Sequence, residues 1–346
     1  MALDLEKSRK FSTALVEGLR GKGRVLILSH DNPDPDSLAA AMALKHFITV
    51  LTGLPCVIAY GGMIGRGENR VMVRELEIDA VPFEGLDLDD FQVVCLVDTQ
   101  PGTGNNPLPP EIPVHLVIDH HPLRPELVQN CRWVDIREDY GCTATILFEY
   151  LKAQGVSFGT KLATIIYYAI KSETQELGRE WSPADREAYL ALFPMVNNRI
   201  LFKITHPKVP RGYFFSFSKA LTNARIHDDL LVFNLFSVIH PDMVAEMADF
   251  LLRMEGISLV LGMGLFEGKE IVSLRTVSIG LSAGELIQKI IGELGTSGGH
   301  GMVAGGQIPG MESDAAAQRR LQKVLTERLL AHFNRPRRRG KRLIPY

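Results

Sequence analysis

Four short apolar runs in the N-terminal part of the chain constrain its fold more than any other feature. They are Arg24 to Ser29 (RVLILS), Pro55 to Tyr60, Phe91 to Val97 (FQVVCLV) and Val114 to Ile118 (VHLVI). A lead-in helix carrying Phe11, Leu15 and Leu19 on one face precedes the first run, and an Ala-rich helix from Ser37 follows it. A further helix, from about Asn69, follows the second. Short runs that are apolar throughout, rather than alternating, are strands buried on both faces. The expected architecture is therefore α/β, with a mainly parallel sheet flanked by helices. In such folds the C-terminal ends of the strands face one crevice, and ligands bind there.

Helices dominate from Gly141 to about Phe193, and the texture then changes. A mixed stretch with a Pro-containing segment (HPKVPRG) and an aromatic cluster, Tyr213 to Phe217, reads as a linker. After it come strands over 230–236, 257–266 and 270–277, helices from about Asp242 and over about 283–294, a glycine loop and a final helix from Ala315 to Phe333. The expected division is a first domain over 1–196, a linker over 197–229, a smaller α/β domain over 230–334 and a basic tail over 335–346. The tail holds Arg335, Arg337, Arg338, Arg339, Lys341 and Arg342 and no acid. Without it, the formal charge of −2 becomes about −8, which does not suit a general duplex-coating protein. No apolar run reaches the ~20 residues of a membrane span, and Met1 to Lys10 lacks a signal-peptide core. The four cysteines, Cys56, Cys95, Cys131 and Cys142, have no CxxC spacing and read as reduced core residues. A cytoplasmic protein without a membrane partner is expected, and a homodimer is compatible with the chain.

The chemistry sits at the strand ends. The first run ends in His30-Asp-Asn-Pro-Asp34-Pro-Asp36, the third in Asp98, and the fourth in Asp119-His120-His121. Three strands thus deliver acids and imidazoles to one sheet edge. Without a counter-ion, such a cluster costs on the order of several kcal/mol in repulsion and desolvation. A divalent cation removes that cost, and two remove it better. Mixed His and Asp ligands suit an ion such as Mn²⁺ more than a Ca²⁺ cage. Pro33 and Pro35 stiffen the first turn so that its alternate carboxylates aim at neighbouring positions. For Asp36 or Ser37 the plainer role is to cap the following helix.

In this order the motifs resemble those of the DHH phosphoesterases, the superfamily of the exonuclease RecJ, nanoRNases, polyphosphatases and family II pyrophosphatases. The segment Gly298-Gly299-His300-Gly-Met-Val-Ala-Gly305-Gly306, with Arg275 on the strand before it, is similar to the accompanying DHHA1 substrate-binding domain. The Asn-Pro-Asp form of the first motif looks most like the nanoRNase branch, which degrades very short oligonucleotides and dephosphorylates 3′-phosphoadenosine 5′-phosphate. The resemblance implies a catalytic, metal-binding DHH domain, a DHHA1 domain, and an active-site cleft between them. It implies that His30, Asp34 and Asp98 hold one cation, that Asp36, Asp98 and His120 hold a second, and that Asp98 bridges the pair. His121 would contact the scissile phosphate or protonate the leaving oxygen, while Asp119 orients the histidines or a water. The fourth motif is usually Asp-Thr; here it is Glu173-Thr174, with a ligand one methylene longer. The implied cofactors are two divalent cations, Mn²⁺ preferred and Mg²⁺ or Co²⁺ accepted, which at about 3.5–4 Å separation activate a water and hold phosphate oxygens.

On the substrate side, closely spaced glycines let backbone N–H groups approach a phosphate, and His300 adds a donor. Arg275 offers a bidentate fork. Arg66 and Asn69, in the loop after the second run, lie near the crevice and are candidates for substrate contact, and Gly102 to Asn106 reads as a turn at its rim. His46, His115, His206, His227, His240 and His332 fall outside the motifs and read as structural or exposed. The expected substrate is a short single-stranded oligonucleotide or a small nucleotide. One alternative is polyphosphate or pyrophosphate hydrolysis, which calls for a pocket richer in Lys and Arg. Another is a catalytically weakened nucleotide-binding protein, which only Glu173 favours.

Overall fold

The computed structural model describes residues 3–278, 280–311, 313–337 and 339–344, and for His300 the backbone alone. Two compact units divide the chain, Met1–Pro207 and Lys208–Tyr346.

The first unit contains β1 (Val25–Leu28), β2 (Cys56–Tyr60), β3 (Ala80–Pro82), β4 (Val93–Val97), β5 (Leu116–Asp119) and β6 (Trp133–Ile136). All neighbours pair in parallel, in the order β3-β2-β1-β4-β5-β6. Its helices are α1 (Leu5–Leu19), α2 (Pro35–Thr52), α3 (Gly67–Glu75), α4 (Pro125–Val128), α5 (Thr143–Ala153), α6 (Thr160–Glu173), α7 (Pro183–Leu192) and α8 (Asn198–Thr205). Val25 and Ile27 pack into the core that contains residues of α1, α2, α5 and α6, while Leu26 and Leu28 pack into a second core on the other side of the sheet. Both faces are therefore apolar, which is why these strands read as unbroken runs. Strand order reverses between β1 and β4, so the loops leaving these two strands diverge and open a crevice at their C-terminal ends. Two strands escape the sequence reading for physical reasons. β3 is three residues long and ends in Pro82, and β6 carries the buried Asp135, whose charge Arg137 matches at 2.7 Å.

The second unit contains β7 (Arg225–His227), β8 (Leu230–Ser237), β9 (Leu259–Phe266), β10 (Lys269–Thr276), β11 (Thr296–His300), β12 (Val303–Ile308) and β13 (Lys341–Arg342). They form one sheet in the order β11-β12-β10-β9-β8-β7-β13, antiparallel except for the β8–β9 pair. Its helices are α9 (Arg211–Asn223), α10 (Asp242–Leu251), α11 (Ala283–Ile291) and α12 (Ala315–His332). α11 and α12 pack on one face, α9 and α10 on the other.

The glycine segment 296–306 is not the loop expected from its composition. It is an antiparallel hairpin of β11 and β12, since without side chains its propensity gives no sign of strand and only the ladder to β10 fixes it. The stretch 197–229 holds α8, which lies in the first unit, and α9 and β7, which lie in the second. Of its aromatic cluster, Tyr213 and Phe217 pack against the α9–α10 core, while Phe214 and Phe215 are exposed. The basic tail returns to the sheet: Arg335 pairs with Asp229 at 2.5 Å, and β13 adds to the edge at β7. Arg338 lies outside the described residues. Among the described residues no helix is long and apolar enough to cross a membrane, and the four cysteines are free thiols.

Candidate metal centre

The loop after β1 is built to hold its side chains still. Asp34 is the N-cap of α2: its Oδ1 accepts from the Ser37 N–H at 2.9 Å, and the Ser37 hydroxyl donates back to the Asp34 carbonyl. Capping thus falls to Asp34, rather than to Asp36 or Ser37 alone. Asn69 braces the turn by donating to the Pro33 carbonyl at 3.2 Å, and the Asn105 carbonyl accepts from Asp31 N–H at 2.6 Å. His30 Nδ1 lies 2.9 Å from the Asp31 carbonyl. A carbonyl only accepts, so Nδ1 carries the proton and Nε2 presents its lone pair. That Nε2 sits 3.6 Å from Asp34 Oδ1 and 3.5 Å from Asp98 Oδ2.

Asp98 follows β4 with φ of +60°, a conformation that L-residues adopt at some cost, and it is buried. Its two oxygens face different partners. Oδ2 faces His30, while Oδ1 lies 3.6 Å from His120 Nε2 and accepts from the Thr143 hydroxyl at 2.8 Å. His120 repeats the logic of His30: its Nδ1 donates to the Tyr140 carbonyl at 3.1 Å, leaving Nε2 as a ligand atom. Two triads result, His30–Asp34–Asp98 and Asp98–His120–His121, with Asp98 common to both. Nitrogen–oxygen separations of 3.5–3.8 Å are too long for hydrogen bonds. They match donors arranged around a common ion at about 2.0–2.2 Å from each. The donor set therefore fits divalent cations.

His121 is wired differently. Its Nδ1 donates to Asp119 Oδ1 at 2.8 Å, and Asp119 also accepts from the backbone N–H groups of His120 and His121 and from the Gln100 amide. Burial would raise the Asp119 carboxyl, but the bond and charge of His121 and the Gln100 amide outweigh it and bring it down to about 2. Asp119 is thus a fixed acceptor that orients His121. The His121 side chain, 32% exposed, is the most open of the three imidazoles.

Asp36 is the second residue of α2, and its carboxylate closes the N-terminus of α5. It accepts from the Thr143 and Ala144 N–H groups at 2.6 and 2.7 Å and from the Cys142 thiol at 3.0 Å, and it lies 3.8 Å from His120 Nε2. The segment 140–144 therefore touches Asp36, Asp98 and His120 at once. Sequence reasoning missed it, although Gly-Cys-Thr ahead of an apolar helix is a small, polar start signal. Gly141 is needed there because a Cβ would collide with the Glu180 carbonyl. Burial pushes the Asp36 carboxyl well up, and Asp98, Asp34 and Glu173 push it further. Burial lowers His30 and His120, but the surrounding acids outweigh it and raise both.

Glu173 ends α6, half-buried, and its carboxyl is raised by burial and by the charges of Asp34 and Asp98. It is within electrostatic reach of the cluster but belongs to neither triad. Arg66 is the N-cap residue of α3, and its charge acts on Tyr168.

In the second unit, Arg275 is buried. Its Nε donates to Asp249 on α10 at 2.6 Å, and its NH1 donates to the Leu274 and Ala304 carbonyls. The fork expected to face a ligand is thus engaged within its own domain. Gly299 and Gly306 are explained by packing, since a Cβ at Gly299 would meet the Val303 carbonyl and Ala304, and one at Gly306 would meet Ile291. Gly298 and Gly305 are not. They pair directly across β11 and β12, both exposed, and a Cβ at Gly298 meets nothing within 4 Å. Beside them Ser273, opposite Gly305 on β10, is buried with no hydrogen-bond partner for its hydroxyl among the described residues. Ser273 was missed by sequence reasoning, since a serine in an apolar strand carries no signal of its own. The His300 side chain lies outside the described residues.

Two family models match the chain, one within each unit. Residues 24–170 match the DHH family N-terminal domain, and residues 228–329 match the DHHA1 domain. An uncharacterised protein of Methanocaldococcus jannaschii is 34% identical over 90% of this chain and 63% of its own length. A probable manganese-dependent inorganic pyrophosphatase of Deinococcus radiodurans is 30% identical over 49% of this chain and 53% of its own. The chain thus spans less than two thirds of the length of these relatives. An exopolyphosphatase-related protein from Bacteroides fragilis shares the fold, with a TM-score of 0.73 at 14% identity, over 93% of this chain and 96% of that one. The chain thus carries a DHH family N-terminal domain followed by a DHHA1 domain.

Proposed function

We propose that the protein is a two-cation phosphoesterase that hydrolyses short single-stranded oligonucleotides or small nucleotides. The observation that supports it most is Asp98, which turns one carboxylate oxygen to His30 and the other to His120. His30, Asp34 and Asp98 would hold one divalent cation, and Asp98, His120 and Asp36 the other, with Glu173 adding negative charge at their side. Mn²⁺ is the preferred ion, as in the related pyrophosphatase, with Mg²⁺ or Co²⁺ accepted. When bound, such ions supply the positive charge that makes a water nucleophilic at neutral pH and neutralises phosphate oxygens.

The chain's own groups do the rest. Nδ1 bonds to backbone carbonyls keep His30 and His120 in the tautomer that ligates. His121, held through Nδ1 by Asp119, offers Nε2 to the leaving oxygen and gives it a proton, the part a histidine paired with a carboxylate plays in acyl transfer. The bare backbone at Gly298 and Gly305, with the unpartnered Ser273 hydroxyl, is assigned to the nucleoside part of the substrate.

The likeness of about half of the chain to a probable pyrophosphatase favours a second reading, pyrophosphate or polyphosphate hydrolysis. Against it stands the second unit's patch, which offers glycine backbone and a hydroxyl and ties Arg275 to Asp249. A compact polyanion calls for several cationic side chains. The test offers Mn²⁺-loaded protein a dinucleotide, 3′-phosphoadenosine 5′-phosphate, a cyclic dinucleotide and pyrophosphate in parallel. Mononucleotide release from the dinucleotide is the expected result. Phosphate release from pyrophosphate alone selects the second reading, and tight nucleotide binding without turnover overturns both.

A further inference from the structure

Past Glu173 the backbone takes an unusual course. Gln175, Glu176 and Leu177 have φ of +47°, +61° and +62°, and Glu180 has +44°. Four L-residues within six positions thus occupy the left-handed region, where Cβ crowds the following carbonyl. Such strain persists only where the surroundings over-determine it, and it gathers at functional sites. The surroundings here can be named. The buried Thr174 hydroxyl donates to the Ile170 carbonyl at 2.6 Å and accepts from Leu177 N–H at 3.0 Å. Glu176 N–H reaches the Lys171 carbonyl at 2.8 Å, and Arg179 N–H reaches the Thr174 carbonyl at 2.9 Å. The Glu180 carbonyl packs on Gly141, in the segment that also holds Asp36, Asp98 and His120.

What this loop sets in place is Arg179. Its Nε is buried and has no hydrogen-bond partner among the described residues, and no acid among them lies within ion-pair distance of it. A buried guanidinium N–H without an acceptor is costly. The Arg179 backbone is pinned to the residue that follows Glu173, through the bond to the Thr174 carbonyl, and its neighbour Glu180 lies against Gly141. A residue that merely balanced Glu173 would form an ion pair with it. This one is held near the acid cluster with a donor left over, as a site waiting for an anion would be.

We propose that Arg179 is a substrate-binding residue that donates to a phosphoryl oxygen of the phosphate ester at the metal centre. The inference rests on the phosphoesterase reading above. Its chemistry is that of the guanidinium–phosphate pair, a charge-assisted contact that Lys reproduces in part and Gln does not.

The test uses the full chain loaded with Mn²⁺, as wild type, Arg179→Gln and Arg179→Lys. Mn²⁺ affinity is read by electron paramagnetic resonance, inorganic phosphate affinity by calorimetry, and kcat and KM on the dinucleotide. Arg179→Gln is expected to keep Mn²⁺ affinity within about twofold while weakening phosphate by about ten- to hundredfold, as a charge-assisted contact implies. Arg179→Lys should recover part of that loss. Unchanged phosphate affinity in Arg179→Gln overturns the proposal. So does a fall in Mn²⁺ affinity of the same size, which makes Arg179 the counter-charge of Glu173. If wild type binds Mn²⁺ but neither binds phosphate nor cleaves any phosphate ester, the phosphoesterase reading fails as well. If wild type is active and Arg179→Gln equals it, this proposal fails alone.

Discussion

The two units bury polar groups in opposite ways. In the first, each acid at the sheet edge has partners: Asp36 holds two α5 backbone N–H groups, Asp98 a hydroxyl, and Asp119 an imidazole, two N–H groups and an amide. In the second, Ser273 and Glu270 are buried on β10 without partners among the described residues, and two glycines leave bare backbone beside the serine. The contrast separates two kinds of preorganisation. A cation site needs its negative charges fixed before the ion arrives, so donors surround them. A patch for a neutral or weakly charged group needs only room and an unused hydrogen bond. Glu270 has neither role. It lies on the α11–α12 side of the sheet, and burial alone pushes its carboxyl up to about 7.

Asp98→Asn gives the largest expected effect. It removes charge from both triads at once, so turnover falls at least about 10³-fold, beyond the 10–100-fold typical of an outer partner. Steady-state kinetics with Mn²⁺ measure it, and retained activity would erase the distinction between Asp98 and its neighbours. Next comes the pair His120→Gln and His121→Gln. The first is expected to weaken Mn²⁺ binding. The second should lower kcat by about 10²–10⁴-fold, the range of a lost general acid, with Mn²⁺ affinity kept. Equal effects on Mn²⁺ would place both imidazoles among the ligands.

The second unit yields smaller numbers. Gly298→Val fills open space, so its melting temperature should match wild type while KM for a dinucleotide rises about tenfold. Gly299→Val forces a side chain into Val303 and Ala304 at a φ of +152° and is expected to destabilise by about 1–3 kcal/mol. Thermal melts and KM measured together check both, and a reversed pattern would remove the patch. The last prediction concerns pH and Glu270. Its folded carboxyl keeps a proton that the unfolded chain releases above its ordinary value near 4.5. Stability is therefore lost as pH rises from about 4.5 to about 7 and is level beyond, by about 3 kcal/mol in all. Glu270→Gln should abolish that part of the slope in denaturant titrations at pH 5 and pH 8. An unchanged slope would show that Glu270 has found a partner.

The sequence made the metal centre more legible than the ligand patch, and the reason is chemical. His30, Asp34, Asp98 and His120 are types that seldom cluster at strand ends without cause, so their order alone drew attention. What holds them was not visible. Thr143 acts through one hydroxyl, and Tyr140 through a main-chain carbonyl that any residue would supply. The loop that carries Arg179 puts four residues other than glycine in the left-handed region, which no local composition announces. In the second unit the glycines did stand out, but composition could not tell a hairpin from a loop. Nor could it separate Gly299 and Gly306, which packing requires, from Gly298 and Gly305, which it does not. Arg275 looked like a ligand fork because its partner Asp249 lies on another element.

The most direct test is anomalous diffraction from crystals grown with Mn²⁺. Two peaks about 3.5–4 Å apart, one beside His30 and Asp34, one beside His120, with an Asp98 oxygen on each, are the expected result. A single peak that Asp98 does not touch, or His30 and His120 turned away from any ion, would contradict the account.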